Sequence, residues 1–186
     1  MIDAVVFDLD GVIIDSEQLW DEVREGLARE RGGRWSEQAQ ADMMGMSSTE
    51  WSRYMHEVVG LAEPPEEINR EVVRRMLARY SEHLPLIDGA VDAVERLAAH
   101  WPLGVASSSN RELIDHVLEL SGLASYFKVS VSSEETVTSR YGVRPESSRT
   151  WSISSRFDDE ATPIGHFAAS RLTAATAPSI SGRCSE

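Results

Sequence analysis

The chain has 186 residues, of which 41% are hydrophobic, and a formal net charge of −13. That apolar content belongs to a folded protein with one sizeable core and room for an inserted lobe. The acidic balance argues against nucleic acid as a partner, because affinity for a phosphate backbone rests on Lys and Arg.

In chain order, the first stretch is "MIDAVVFDLDGVIID". It lacks a basic leading region and interrupts its apolar run with charge, so neither a signal peptide nor a membrane span is expected. The single cysteine, Cys184, cannot close an internal disulfide, and a reducing, cytoplasmic location is the expectation. Ala4 to Leu9 form a short apolar run rich in Val and Phe, the pattern of a strand covered on both faces in a parallel sheet. This strand runs into Asp8-Leu9-Asp10-Gly11. Residues two apart on a strand share a face, so Asp8 and Asp10 are expected side by side at its carboxyl end, where open α/β sheets hold ligands. Burying unpaired carboxylates is costly, and the pair calls for a cation or a chemical task. Hard oxygen ligands of this kind suit Mg²⁺. Gly11 tolerates an unusual backbone angle and lets a ligand approach closely. The plainer alternative, strand-end acids simply facing water, fits one aspartate better than a D-x-D-G run following an apolar strand.

Three charged segments with helical spacing follow, starting near Ser16, Ser47 and Pro64. Ser16 suits an N-cap, Ser47 with Glu50 a capping box, and Pro65 with Glu66 and Glu67 a first turn. Residues 16–83 are therefore expected to form an all-helical lobe inserted after the first strand. Beyond it, "DGAVDAVERLAAH" predicts a helix, "PLGVASSS" a strand, "NRELIDHVLELSGL" a helix and "YFKVSVSS" a strand. Strands separated by such helices imply right-handed crossovers and a parallel sheet, so the expected fold class is α/β with a Rossmann-like core formed by residues 1–15 and 84–135. The second strand ends in Ser107, Ser108 and Ser109 before Asn110 opens a helix. Hydroxyls and free N–H groups at a helix start make a site for phosphate. Ser109 or Asn110 acting only as an N-cap is the plainer alternative.

Residues 136–186 differ in texture. They contain 16 Ser or Thr but six Leu, Ile or Val, and carry five acids against six bases, whereas residues 1–135 carry 26 acids against 12 bases. No element pattern stands out, and an irregular, atypical tail is expected.

The strand-end acids, the serine run and the helical insertion together resemble the haloacid dehalogenase superfamily, in particular its β-phosphoglucomutase-like phosphatases with a helical cap. "FDLDGVIIDSE" resembles the family's first motif, "VASSSN" its second, and "LPLIDGAVDAVERLA" its re-entry into the core. The resemblance implies that Asp8 attacks phosphorus to form an aspartyl-phosphate, and that Asp10 protonates the leaving group and then activates water. It also implies that Asp8 and Asp10 hold Mg²⁺, the latter through its main-chain carbonyl, and that Gly11, Ser107, Ser108 and Asn110 surround the phosphoryl group. Cap residues Glu17, Ser47 and Arg53, with the Gly45 to Ser48 turn, would face the substrate, while Trp20, Trp35 and Trp51 fill the cap core. A small phosphorylated metabolite such as a sugar phosphate is the implied partner, with no nucleic acid or membrane involved and a monomer or weak oligomer expected. A phosphomutase is the close alternative.

The family pattern fails after residue 135. The family has a lysine after the third strand and acids after a fourth, whereas the only lysine here, Lys128, comes too early. Arg140 or Arg144 would have to replace the lysine, and Asp158 and Asp159 the acids. Another reading is a shifted frame. "RTWSISS" can be encoded CGG ACG TGG TCT ATC TCG AGC, which one base earlier and after a C reads Pro-Asp-Val-Val-Tyr-Leu-Glu, similar to family members at that point. On this reading the chain is a non-catalytic product with an open edge on its first strand. A gene sequence showing no one-base displacement relative to its relatives would end the idea.

Overall fold

The computed structural model describes residues 2–135 and a two-residue strand, Ser170–Arg171. Its elements, in order, are β1 (Val5–Phe7), α1 (Glu17–Glu30), α2 (Glu37–Met43), α3 (Ser48–Tyr54), α4 (Pro65–Glu82), α5 (Ala90–Ala98), β2 (Leu103–Ser107), α6 (Arg111–Leu120), β3 (Phe127–Ser132) and β4 (Ser170–Arg171). A single π-helical turn, Met55–Val59, extends α3 and stops at Gly60, whose φ of 86° is left-handed. The α/β fold class is as expected. The helix α2 had no counterpart in the sequence reading, although Ser36 marks its start by accepting a hydrogen bond from the Ala39 N–H at 3.2 Å.

The sheet order is β3-β2-β1-β4. β1 pairs parallel with β2, Val5 opposite Leu103 and Phe7 opposite Val105, and β2 pairs parallel with β3. The far side of β1 is partly covered by β4, antiparallel, with Val6 opposite Ser170. Two residues of the tail therefore pair with the first strand, and the rest of the tail lies outside the described residues. An unpaired apolar strand exposes N–H and C=O groups that cost free energy unless paired, and the pairing need not be parallel to satisfy them. Arg140, Arg144, Asp158 and Asp159 lie outside the described residues.

Alternation and helical spacing decide what is buried. Val5 and Phe7 of β1 are buried, and the Phe7 ring meets Phe127 edge-on at 5.8 Å. Helix α6 buries Leu113, Ile114, Val117 and Leu118, one face of a 3.6-residue repeat, and α4 buries Ile68, Val72, Val73, Met76 and Tyr80 in the same way. No helix among the described residues is long and apolar enough to cross a membrane.

The turn after β1 fixes the site. Leu9, Ile13 and Ile14 are at most 1% exposed. The Leu9 carbonyl accepts from the N–H groups of Ile13 and Ile14 at 2.9 and 3.1 Å, and Gly11 N–H donates to the Ile14 carbonyl at 2.8 Å. Gly11 holds φ at 75°, where a side chain would be strained even though open space surrounds it. The turn is tied to the chain's return into the sheet by Asp15 N–H to the Pro85 carbonyl, 2.8 Å, and Ile87 N–H to the Ile13 carbonyl, 3.0 Å.

Candidate active site

With Leu9, Ile13 and Ile14 anchored inward, Asp8 and Asp10 fall on the rim of a cavity of about 270 Å³. Its core wall includes Asp8, Asp10, Gly11, Ser108 and Ser109, and its helical wall includes Glu17, Trp20, Arg24, Gln40 and Trp51.

The Asp10 carboxylate accepts hydrogen bonds from three separate parts of the chain. One oxygen takes the Ser16 hydroxyl at the start of α1 and the Trp20 indole N–H, 3.3 Å, one turn later. The other takes Ser107 at the end of β2, 3.2 Å, and Ser109 at the entrance to α6, 2.7 Å. The serine turn is itself braced. Ser109 N–H donates to the Ser107 hydroxyl at 3.0 Å, and the Ser132 and Ser133 hydroxyls at the end of β3 donate to the carbonyls of Ser109 and Ser108 at 2.7 and 2.9 Å. Tyr80 of α4 stands behind, hydrogen-bonded to Ser16, and burial followed by the Asp10 charge raises its phenol pKa well above the usual value.

Asp8 has fewer partners. It is open to solvent on one side and walled by protein on the other, and it accepts one bond, from the Leu9 N–H at 2.7 Å. The loss of surrounding water raises its carboxyl pKa. The Leu9 bond opposes this rise and the Asp10 charge adds to it.

Asn110 faces away from this cavity. Its amide donates to Asn69 of α4 at 3.2 Å and to Glu134 at 2.6 Å, and the same Glu134 carboxylate accepts the Arg111 N–H at 3.0 Å. The N-terminus of α6 is thus neutralised from within by an acid of the chain. Of the cap residues singled out in the sequence, Glu17 lines the cavity and Ser47 and Arg53 do not. Ser47 is spent on the capping box of α3, with its N–H and hydroxyl both donating to Glu50, and Arg53 is exposed on that helix.

A family model described as haloacid dehalogenase-like hydrolase matches residues 5–140. The chain belongs to this family. It is 27% identical over 136 residues to a phosphorylated carbohydrates phosphatase of Thermotoga maritima, a match covering 72% of this chain and 62% of that protein. It is 29% identical over 142 residues to hexitol phosphatase B of Escherichia coli strain K12, covering 71% and 61%. The chain therefore spans a little over three fifths of the length of these curated relatives. A solved β-phosphoglucomutase from Clostridium difficile superposes with a TM-score of 0.61 at 21% identity, over 73% of this chain and 63% of that one, which establishes likeness of fold.

Sequence reasoning missed five groups at this haloacid dehalogenase-like site: Ser16, Trp20 and Ser109 as partners of Asp10, Tyr80 behind them, and Arg24. Arg24 is 7% exposed, its guanidinium carbon 4.6 Å from the centre of the Trp20 ring and 5.0 Å from that of Trp51. Burial pushes its pKa down to about 10, against the opposing pull of the Asp21, Asp10 and Tyr80 charges. A signal existed. Ser16, Trp20 and Arg24 are spaced by four and share one helix face, and Arg24 lies within the buried stripe of Trp20, Val23 and Leu27. A charge inside an apolar stripe marks a position with a task other than packing.

Proposed function

We propose that the chain is a phosphohydrolase of small phosphorylated metabolites of the sugar-phosphate kind. The observation that carries this reading is the convergence of two aspartates and a serine turn on one cavity of metabolite size. The activities named for the two relatives, a phosphorylated carbohydrates phosphatase and a hexitol phosphatase, support the substrate class.

In this reading an Asp8 carboxylate oxygen attacks phosphorus, the bond to the sugar oxygen breaks, and the leaving oxygen takes a proton from Asp10. Asp10 then removes a proton from water as that water attacks the aspartyl-phosphate, returning Asp8 and releasing inorganic phosphate. The surroundings of Asp10 fit both tasks. Accepting from Ser16, Trp20, Ser107 and Ser109, its carboxylate is fixed in position to act as base. When it carries a proton, any of the three hydroxyls can rotate from donating to accepting, while the indole N–H, donor only, keeps the carboxyl group in place.

The residues present suit Mg²⁺. None of the turn's hydrogen bonds uses the Asp10 main-chain carbonyl, and Asp8 keeps a carboxylate oxygen without a protein donor among the described residues. These two hard oxygens would hold the cation. No cluster of three His, Cys, Asp or Glu side chains able to hold a metal occurs among the described residues, so water and substrate oxygens would complete the shell. When bound, the cation offsets the repulsion between the Asp8 carboxylate and the phosphate.

The deciding experiment is hydrolysis of para-nitrophenyl phosphate with Mg²⁺ by the full chain and by Asp8→Asn. Turnover lost in the variant supports the assignment, and turnover that survives it refutes Asp8 as nucleophile.

A further inference from the structure

Arg24 is a buried cation without an ion-pair partner among the described residues. Its Nε finds no hydrogen-bond partner among the described residues, and none of the ion pairs there includes it. Asp21, three residues earlier on α1, attracts Arg24 through space but forms no ion pair with it, and one of its carboxylate oxygens accepts from the Gln40 amide. Two indole rings flank the guanidinium, and their electron-rich faces offset part of the desolvation but supply no hydrogen-bond acceptor. A charge so placed costs free energy unless an anion joins it. The group also lines the cavity: Arg24 is the one cation among the described residues that line it, alongside the acids Asp8, Asp10, Asp15, Glu17 and Asp21.

We propose that Arg24 forms an anion subsite in the helical wall, and that the substrate carries a second anionic group, a carboxylate or a second phosphate, besides the phosphoryl group that faces Asp8. The inference rests on the phosphohydrolase reading and narrows its substrate class. A sugar hydroxyl would leave the buried charge uncompensated, and a cationic ligand would be repelled by it. Carboxylate and phosphate both match the planar guanidinium fork and accept paired hydrogen bonds from it. The flanking tryptophans hold the fork in place before the ligand arrives, which limits the ordering cost of binding.

The test measures phosphate release by the full chain with Mg²⁺ from glucose 6-phosphate, 6-phosphogluconate and fructose 1,6-bisphosphate, for the native protein, Arg24→Met and Arg24→Lys. The expected native preference is at least about tenfold in kcat/KM for a doubly anionic substrate over glucose 6-phosphate, the size of one charged hydrogen-bonded contact. Which of the two substrates is preferred identifies the second anion. In Arg24→Met that ratio falls to within about twofold of unity through a rise in KM, and Arg24→Lys restores part of it. A native chain that treats all three substrates alike, or a ratio unmoved in Arg24→Met, overturns the subsite. Should no substrate, para-nitrophenyl phosphate included, release phosphate, the hydrolase reading fails by itself. Calorimetric binding of the same three compounds then judges Arg24, with tenfold weaker binding of the doubly anionic ligand by Arg24→Met supporting the subsite and equal binding refuting it. Arg24→Gln replaces Arg24→Met if the latter does not fold.

Discussion

The two walls of the cavity solve the burial of charge in opposite ways. On the core wall, Asp10 receives hydrogen bonds from Ser16, Trp20, Ser107 and Ser109. On the helical wall, Arg24 is wrapped by two indole rings and lacks an ion-pair partner among the described residues. A fully satisfied ion is a fixed part of the apparatus, whereas an unsatisfied one is a place where the fold gives up stability for a ligand that completes it. On the proposed reading, reaction and selection are separate: the parallel sheet and its serines hold the reacting groups, and the helices supply the group that distinguishes substrates.

The largest break comes from the core wall. Asp8→Asn is expected to lower phosphatase turnover by at least ~10³-fold, since it removes the proposed nucleophile. Its stability should not fall with it. The Asp8 pKa is raised in the folded protein, so its ionised form disfavours folding. That penalty is absent below the unfolded value of 3.8 and sets in as pH rises through the folded pKa. At neutral pH, Asp8→Asn should therefore melt at the native temperature or above it in thermal scans without metal, and Mg²⁺ should raise the melting temperature of the native chain but not of the variant.

Asp10→Ala is next, and unlike Asp8→Asn it should damage both properties. Three hydroxyls and an indole N–H lose their shared acceptor, a change worth about 2–4 kcal/mol in denaturant titrations, alongside a ~10²–10⁴-fold loss of turnover.

The helical wall predicts the reverse sign. The Arg24 pKa falls from 12.5 to about 10 in the folded state, so below pH 10 its charge opposes folding, and this burden is relieved only as pH rises through the folded pKa. Arg24→Met should stabilise the chain by about 1–2 kcal/mol at pH 7, read by urea titration, while eroding its substrate preference.

The smallest effect lies away from the cavity. Glu71 of α4 is bound by Arg74 and Arg75, which hold its pKa near 2, and Arg75 reaches on to Glu30 of α1. A depressed carboxyl stabilises above its unfolded value of 4.5, and that contribution fades as pH falls towards 2. Glu71→Gln should lose under ~1 kcal/mol at neutral pH, because the groups remain partly in water, and should show a flatter stability profile between those pH values.

The sequence by itself determined the alternation of strands and helices, the helical run between β1 and β2, and the pair of acids at the end of β1, because period, caps and a D-x-D-G turn are local properties of a chain. Asp8 and Asp10 were legible since their spacing alone puts them at one strand end. The tertiary structure decided which hydroxyls meet them. Ser16 reads as a helix cap, yet its hydroxyl turns to Asp10, and Asn110 reads as a phosphate ligand, yet it faces Asn69 and Glu134. Ser47, by contrast, keeps the capping box with Glu50 that the sequence predicts. Arg24 left only a partial signal in its apolar stripe: a charged residue on a helix is ordinarily solvated, and it is the packing of Trp20 against Trp51, rings 6.0 Å apart, that encloses it. Local signals fix what a residue can bond with, and the meeting of segments distant in sequence selects the partner it actually has.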